Sequence, residues 1–339
     1  MAIPQECDVL VVGSGNAGFS AAISAAENGA RDVVLIEKAP EEWAGGNTYF
    51  TAGAFRTVHN GLGDVLPIMN QALCKALVQD SNITIKWLAS LGVRFQLSFN
   101  RQSYKVDGRY RFWGGMSLKT EDGGKGLIQD YQAAARRMGV SVFYSTPLMR
   151  LVSDPATGTL SGAVVENNGS RTTIKTQAVI LAAGGFESNP QMRAQYLGDG
   201  WDKAFVRGTP YNVGDCLEIA IRDMSAKKAG DWSGCHSVAW DASAPKSAGP
   251  YLAVKVTCGI TFTFGGLAVT PETATVISSA NNEQIPGLYC VGEMLGGLFH
   301  GNYPGGSGLT SGAVFGRRAG SAAARRAQAP SSWYSSTSV

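Results

Sequence analysis

Two groups of residues in this chain have types and spacings that bind or react. The first is Gly13-Ser14-Gly15-Asn16-Ala17-Gly18, followed by Glu37 after the apolar run "VVLI". Gly13 permits a tight turn, Gly15 lets a pyrophosphate touch backbone, and Gly18 lets a helix pack closely on a strand. A helix opening at Asn16 adds N–H donors and a partial positive charge. A carboxylate at 37, with Lys38 beside it, can accept hydrogen bonds from a ribose hydroxyl. The chemistry is dinucleotide binding. A glycine-rich corner with an ordinary surface glutamate is the competing reading, and the coincidence of strand, turn, helix, second strand and acid weighs against it. The second group is scattered: Tyr303, His236, His300 and Thr263, each a side chain able to polarise a substrate or move a proton.

The elements that must hold the first group are legible. Asp8–Val12 is a short apolar strand. Asn16–Asn28 has helical spacing, with Ala17, Ala21, Ala22 and Ala25 keeping one face small enough to approach a sheet. Asp32–Glu37 is a second strand, completing a βαβ unit. A glycine-rich loop follows over Glu41–Thr57. One or two helices are expected over Asp64–Leu91, with Gly92 as C-cap, and another over Gly123–Met138. Strands are expected at Val140–Tyr144 and Met149–Asp154. A hairpin is expected at Gly162–Asn167 and Arg171–Lys175, across "NNGS". Ala178–Ala182 and Gly287–Val291 read as strands, Gly214–Met224 and Ser311–Ala327 as helices, and Gly259–Thr270 as extended chain broken by glycine. The fold class is therefore α/β: a Rossmann-like domain with a βαβ-rich parallel sheet and an added β-hairpin layer.

Composition bounds the rest. With 339 residues, 44% hydrophobic and 16% charged, a packed core is feasible. A net charge of +3 is too small to point to nucleic acid or an anionic membrane. The six cysteines form no CxxC pair and Cys235-His236 is the one close Cys/His pair, so neither a disulfide framework nor a metal site is expected. No apolar run is long enough to span a bilayer. No secretory signal is read at the start, which gives a soluble, intracellular (cytoplasmic) expectation.

The hexapeptide does not choose between NAD and FAD; four later stretches do. "AGGNT" places Gly45, Gly46, Asn47 and Thr48 where a loop reaches back to phosphates and a flavin ring. "VILAAGG" runs a strand into Ala183, Gly184 and Gly185. "GLYCVGE" ends a strand at Gly292 and Glu293, an acid able to bind a ribityl hydroxyl. "GGSGLTSGAVFGRRAG" starts a glycine-rich helix with Ser307, Gly308 and Leu309. An NAD(P)-dependent oxidoreductase accounts for these less well.

These residues make the chain resemble the FAD-dependent fumarate reductase/succinate dehydrogenase flavoprotein family. It is most similar to the branch with tricarballylate dehydrogenase-like and 3-ketosteroid dehydrogenase-like enzymes. GSGNAG (13–18), LIEKA (35–39), GGNT (45–48), "GGKGLIQDYQAAARRMGV" (123–140), VILAAGGF (179–186), "VGDCLEIA" (213–220), "TFTFGGL" (261–267), GLYCVGE (287–293) and "NYPGGSGLTSGAVFGRRAG" (302–320) carry the resemblance. It implies FAD and two-electron transfer between flavin N5 and a carbon–carbon bond. Some members tether FAD through a histidine near the GG loop; here Asn47 follows Gly45-Gly46, which implies noncovalent FAD. The family's capping domain is shortened, because the interval from Gly185 to Thr261 is brief. The expected organisation is an FAD-binding domain over 1–230 and 258–328, a minimal cap over 231–257, and a disordered tail over 329–339.

For the second group the resemblance implies roles that compete with bland ones. His236 matches a substrate-facing histidine, or is a loop histidine satisfied by backbone. Tyr303 falls where dicarboxylate-using relatives carry an arginine and steroid-dehydrogenating relatives a tyrosine, or it packs beside Pro304. His300 faces the same cavity, or solvent. Thr263 hydrogen-bonds substrate, or is a strand threonine. Arg207 and Arg56 are possible anion partners that no spacing selects. The expected activity is an FAD-dependent oxidoreductase acting on a small organic acid or conjugated carbonyl compound, with an electron-transfer partner left open. A flavin-binding protein of the same fold with little turnover is the alternative.

Overall fold

Val9–Val12 (β1) is apolar at all four positions and wholly buried, which requires cover on both faces and marks a central parallel strand. The computed structural model describes residues 2–57, 71–98, 103–112, 118–230, 232, 259–299 and 303–329. Around β1 stand Val33–Ile36 (β2), Ser141–Phe143 (β3), Val179–Leu181 (β4), Thr275–Ile277 (β5) and Gln284–Cys290 (β6). Their order across the sheet is β5–β6–β4–β1–β2–β3. All neighbours are parallel except β5 on β6. Leu10 lies between Val34 and Val179, fixing the register that brings the C-terminal ends of β1, β2 and β4 to one edge. The expected parallel α/β sheet is present.

The added layer is a three-stranded antiparallel sheet of Leu148–Ser153, Leu160–Asn167 and Ser170–Lys175. Its hairpin turns at Asn168 and Gly169, both with positive φ, as a two-residue loop with right-handed strand twist demands.

Helix Asn16–Glu27 covers one face of the sheet, and a long helix, Ser307–Gln328, lies against it. A β-carbon at Gly312 would fall 2.5 Å from Asn16 Nδ2, at Gly316 2.6 Å from the Ala17 carbonyl, and at Gly320 2.2 Å from the Ala21 carbonyl. These glycines, four residues apart, let the two backbones touch. Opposite them, Tyr131 of helix Gly123–Arg137 stacks on Phe19 with ring centroids 5.7 Å apart.

Several boundaries differ from expectation. The last helix starts at Ser307 rather than Ser311, because the Ser307 N–H and Oγ both donate to the Pro304 carbonyl and set its first turn. The loop after β2 contains a helical turn, Gly46–Tyr49, which Gly45 enters at φ 99°. Helix Pro190–Leu197 was not anticipated; Asn189 caps it by accepting from Met192 N at 3.0 Å, and Pro190 supplies the first-turn residue. Strand β5 was also missed. No helix among the described residues is long and apolar enough to cross a membrane.

Candidate functional site

A cavity of about 360 Å³ opens where the C-terminal ends of β1, β2 and β4 meet, within the size range of small-molecule and cofactor sites. Its floor is the glycine turn. Gly13 has φ 108°, and a β-carbon there would sit 2.4 Å from the Ala182 carbonyl. Gly18 would meet the Gly13 carbonyl at 1.8 Å, so it serves helix–strand contact and does not line the cavity. Gly15 differs. Its backbone is extended (φ −71°), and an added β-carbon would come no closer to protein than 3.6 Å, at Thr48 Oγ1. Neither backbone strain nor packing demands glycine at 15; what its bare Cα leaves is room in the cavity. Helix Asn16–Glu27 starts there with no side-chain cap and no acid in its first turn. Such an N-terminus is suited to an anion.

Glu37 follows β2, nearly buried, with its carboxylate on the cavity wall. Its Oε2 accepts from Ser14 N at 2.8 Å and Ser14 Oγ at 2.7 Å, and its Oε1 accepts from Ala39 N at 2.8 Å. Asn16 is fixed on three sides: its N–H donates to Thr48 Oγ1 at 3.0 Å, its Nδ2 to the Leu309 carbonyl at 2.8 Å, and its Oδ1 accepts from Tyr131 at 2.8 Å. Lys38 instead turns away to Asp215, 2.8 Å from its Oδ2.

The far wall is built from the strand ends. Asn47 Nδ2 donates to Glu187 Oε1 and to the Thr261 carbonyl, each at 2.7 Å, and its Oδ1 accepts from Thr209 N at 3.0 Å. Glu293 Oε1 accepts from Thr263 N at 2.8 Å and from Thr263 Oγ1 at 3.3 Å. Burial pushes the Glu293 carboxyl up to about 7. It also raises Glu187, completely buried, well above the carboxylate range, with the Glu293 charge adding to the effect. Phe262, Phe264, Phe299 and Tyr303 form one aromatic cluster along the mouth, with ring centroids 4.6–6.3 Å apart. The Tyr303 phenol oxygen accepts from Gly308 N at 2.8 Å, and burial raises its pKa above the usual value, so it stays protonated at neutral pH.

Of the expected residues, Gly13, Gly15, Asn16, Ala17, Glu37, Gly45, Gly46, Asn47, Thr48, Ala183, Gly184, Gly292, Glu293, Gly308 and Leu309 line this one cavity, together with Thr263 and Tyr303. Gly18, Lys38, Gly185 and Ser307 stand behind it. His236 and His300 lie outside the described residues. Arg207 is on the lining, its guanidinium donating to the Phe50 carbonyl at 3.2 Å. Ser14, Asn212 and the phenylalanines packed around Tyr303 were not anticipated. For Ser14 the signal was present, since it stands inside the glycine turn, and its hydroxyl ties that turn to Glu37 and to Gly45 N. For the aromatics, only "TFTFGG" hinted at a wall.

The FAD binding domain family model matches residues 8–233 and 224–309. The chain belongs to the FAD binding domain family. Among curated proteins, it is 24% identical over 454 aligned positions to a probable fumarate reductase of Shewanella frigidimarina, covering 95% of this chain and 76% of the relative. That alignment is longer than the chain itself, so the relative carries stretches with no counterpart here. A urocanate reductase of Eggerthella lenta is 32% identical over 247 residues, 65% of this chain and 39% of the relative. Among solved structures, a 3-ketosteroid delta1-dehydrogenase from Sterolibacterium denitrificans has the same fold, with a TM-score of 0.74 at 15% identity, covering 95% of this chain and all of that one. The FAD binding domain assignment agrees with the open Gly15 cradle, the helix start without a side-chain cap and the acid after β2, three features that the bulk, the phosphate charge and the ribose hydroxyls of a bound dinucleotide would satisfy.

Proposed function

We propose that this chain is an FAD-dependent oxidoreductase that moves a hydride between the flavin and a carbon–carbon bond next to a carbonyl. The observation that carries the reading is the pairing of Tyr303 with the Gly308 N–H against the aromatic cluster, inside the same cavity as the glycine cradle. In this reading Gly13, Gly15 and the first turn of helix Asn16–Glu27 hold the pyrophosphate. Glu37 takes the adenosine ribose, and Glu293 the ribityl chain. The Ala183–Gly184 turn and the Gly45–Thr48 loop border the ring, and Ser307, Gly308 and Leu309 its far edge. Asn47 carries an amide, engaged on both of its faces, and an amide forms no covalent link to a flavin; we infer noncovalent binding. The bound flavin supplies the two-electron chemistry.

The chain's own residues supply the polarisation. A carbonyl oxygen entering beside Tyr303 meets a phenol whose own oxygen accepts from the Gly308 N–H, a bond that strengthens the O–H as a donor, draws charge onto the substrate oxygen and makes the neighbouring C–H or C=C reactive. Thr263 orders Glu293 from behind. Phe262, Phe264 and Phe299 favour a flat apolar substrate and keep water from the reacting carbons. Among the described residues Arg207 is the one cationic side chain on the lining, fewer cations than bidentate capture of a dicarboxylate would use. A conjugated carbonyl compound therefore suits the site better than a small dicarboxylic acid. His236 and His300 remain candidates for proton transfer, and residues 231–257 for a minimal cap over an FAD-binding domain formed by 1–230 and 258–328.

A second reading has its own support: the stretches of the fumarate reductase relative absent here favour a flavin-binding protein with little turnover. Both are tested on purified protein. Anaerobically reduced flavin should be reoxidised by cyclic enones faster than by unsaturated dicarboxylic acids. Reoxidation by dicarboxylic acids alone overturns the substrate class; no reoxidation by any compound favours the second reading.

A further inference from the structure

Glu187 stands two residues beyond the Gly184–Gly185 turn and carries no accessible surface. Its Oε1 accepts from Asn47 Nδ2, but its Oε2 is buried with no hydrogen-bond partner among the described residues. A buried carboxylate oxygen without a donor is costly. A neutral carboxylic acid, whose own O–H needs an acceptor, is not in that position. The acceptor at hand is Glu293, whose Oε1 lies against Gly185, two residues before Glu187, and whose charge acts on the Glu187 carboxyl. The architecture makes space for this pair. A β-carbon at Gly185 would fall 2.2 Å from both Glu293 Oε1 and Thr263 Oγ1.

Among the described residues no side-chain cation pairs with either carboxylate. Arg193, buried beside Glu187, directs its guanidinium at the main-chain carbonyls of Glu187, Trp201, Asp202 and Ala204, not at a carboxylate. The other described groups acting on the pair are the amides of Asn47 and Asn212, the Thr263 hydroxyl, the Tyr303 phenol and the backbone N–H groups of Gly185, Glu187 and Thr263. None of them brings a positive charge.

We propose that Glu187 is a positioning residue of the cofactor site: it keeps its proton at neutral pH and gives it as a hydrogen bond to Glu293, which is thereby held as a singly charged acceptor on the cavity wall. The proton does not leave during turnover; it sets the charge and direction of Glu293. This rests on the FAD reading above. Losing the proton places two negative charges in one dry space, and Glu293 must then turn from its place.

The test compares wild type with Glu187→Gln, which is neutral at every pH and still donates. FAD affinity, followed by flavin fluorescence, should weaken in wild type as pH rises past the ionisation of the pair, by up to about tenfold per pH unit. Glu187→Gln should hold neutral-pH affinity with a flat profile, and Glu187→Ala should not be rescued. Equal slopes in wild type and Glu187→Gln, or a flat wild-type profile, overturn the proposal. Infrared difference spectra of the cofactor-free chain give a separate readout. A carboxylic-acid C=O band should persist in wild type about one to two pH units above the Glu293 ionisation near 7, where Glu293 is charged, and be missing there in Glu187→Gln; its absence from wild type also overturns the proposal. If the chain retains no FAD at all, the cofactor reading fails, while the infrared band still decides where the proton is.

Discussion

The backbone N–H of Gly308 donates to the phenol oxygen of Tyr303 across 2.8 Å, and a β-carbon at Gly308 would lie 2.6 Å from that same oxygen. Tyrosine and glycine are thus a matched pair: the ring reaches the first turn of the last helix only because residue 308 has no side chain.

Removal of the phenol alone tests its role. Tyr303→Phe leaves the aromatic cluster and takes away one donor at the site of charge development, so kcat should fall by roughly 10²-fold. Flavin content, read from the absorbance of the purified protein, should match wild type. Unchanged turnover would return Tyr303 to a packing role.

Gly15 and Gly18 should fail in different ways. Gly15→Val brings its β-carbon only to ordinary contact with Thr48 Oγ1, 3.6 Å away, so the chain should fold with wild-type circular dichroism and emerge without flavin. Gly18→Ala places a β-carbon 1.8 Å from the Gly13 carbonyl, and forced overpacking of this kind costs about 1–3 kcal/mol or more. Its thermal midpoint should drop even in the cofactor-free state. A flavin-replete Gly15→Val protein would remove the cradle assignment.

The helix contact at Gly316 offers a test remote from the cavity. Gly316→Leu must push apart backbones that now touch at the Ala17 carbonyl. We expect the cofactor-free melting temperature to fall by several degrees, at ~2–4 °C per kcal/mol for a chain of this size. Flavin affinity should weaken with it, because Asn16 and Ala17 sit on the displaced face.

The acid pair predicts a slope with pH. Glu293 ionises at about 7 in the folded chain against an ordinary 4.5, so between these values the folded state binds more protons than the unfolded state. Stability from this group is full below 4.5 and is lost as pH rises through about 7. Melting of the cofactor-free protein should show that decline, and Glu293→Gln should lessen it. A melting temperature that rises over the same window would contradict it.

Much of this was legible before any coordinates. β1, helix Asn16–Glu27 and β2 follow from an apolar run, a small-residue helical face and an acid placed after a second apolar run. Each is a local signal. The hairpin across Asn168 and Gly169 was legible for the same reason. What escaped was non-local. Gly312, Gly316 and Gly320 show their four-residue spacing in the sequence, yet spacing cannot say whether a glycine faces a ligand or another helix. Glu187 carries no signal in "GGFESN", because one acid near a turn has no pattern; its meaning comes from Glu293, more than a hundred residues later. Lys38 stands beside a strong motif, but the destination of its ammonium group, Asp215, lies far along the chain and no local pattern gives it.

The close seat of helix Ser307–Gln328 on helix Asn16–Glu27 also sets a timetable. Asn16 gives its Nδ2 to the carbonyl of Leu309, a residue 293 positions later. At ribosomal speeds of about 5–20 residues per second, roughly 15–60 s separate the synthesis of the two. Throughout that interval the glycine turn is made but unwalled, and the alanine face meant for the last helix is bare. Cofactor capture therefore belongs to the end of translation. A nascent chain stalled before residue 307 should expose that face to chaperones and hold no flavin, however complete its first βαβ unit.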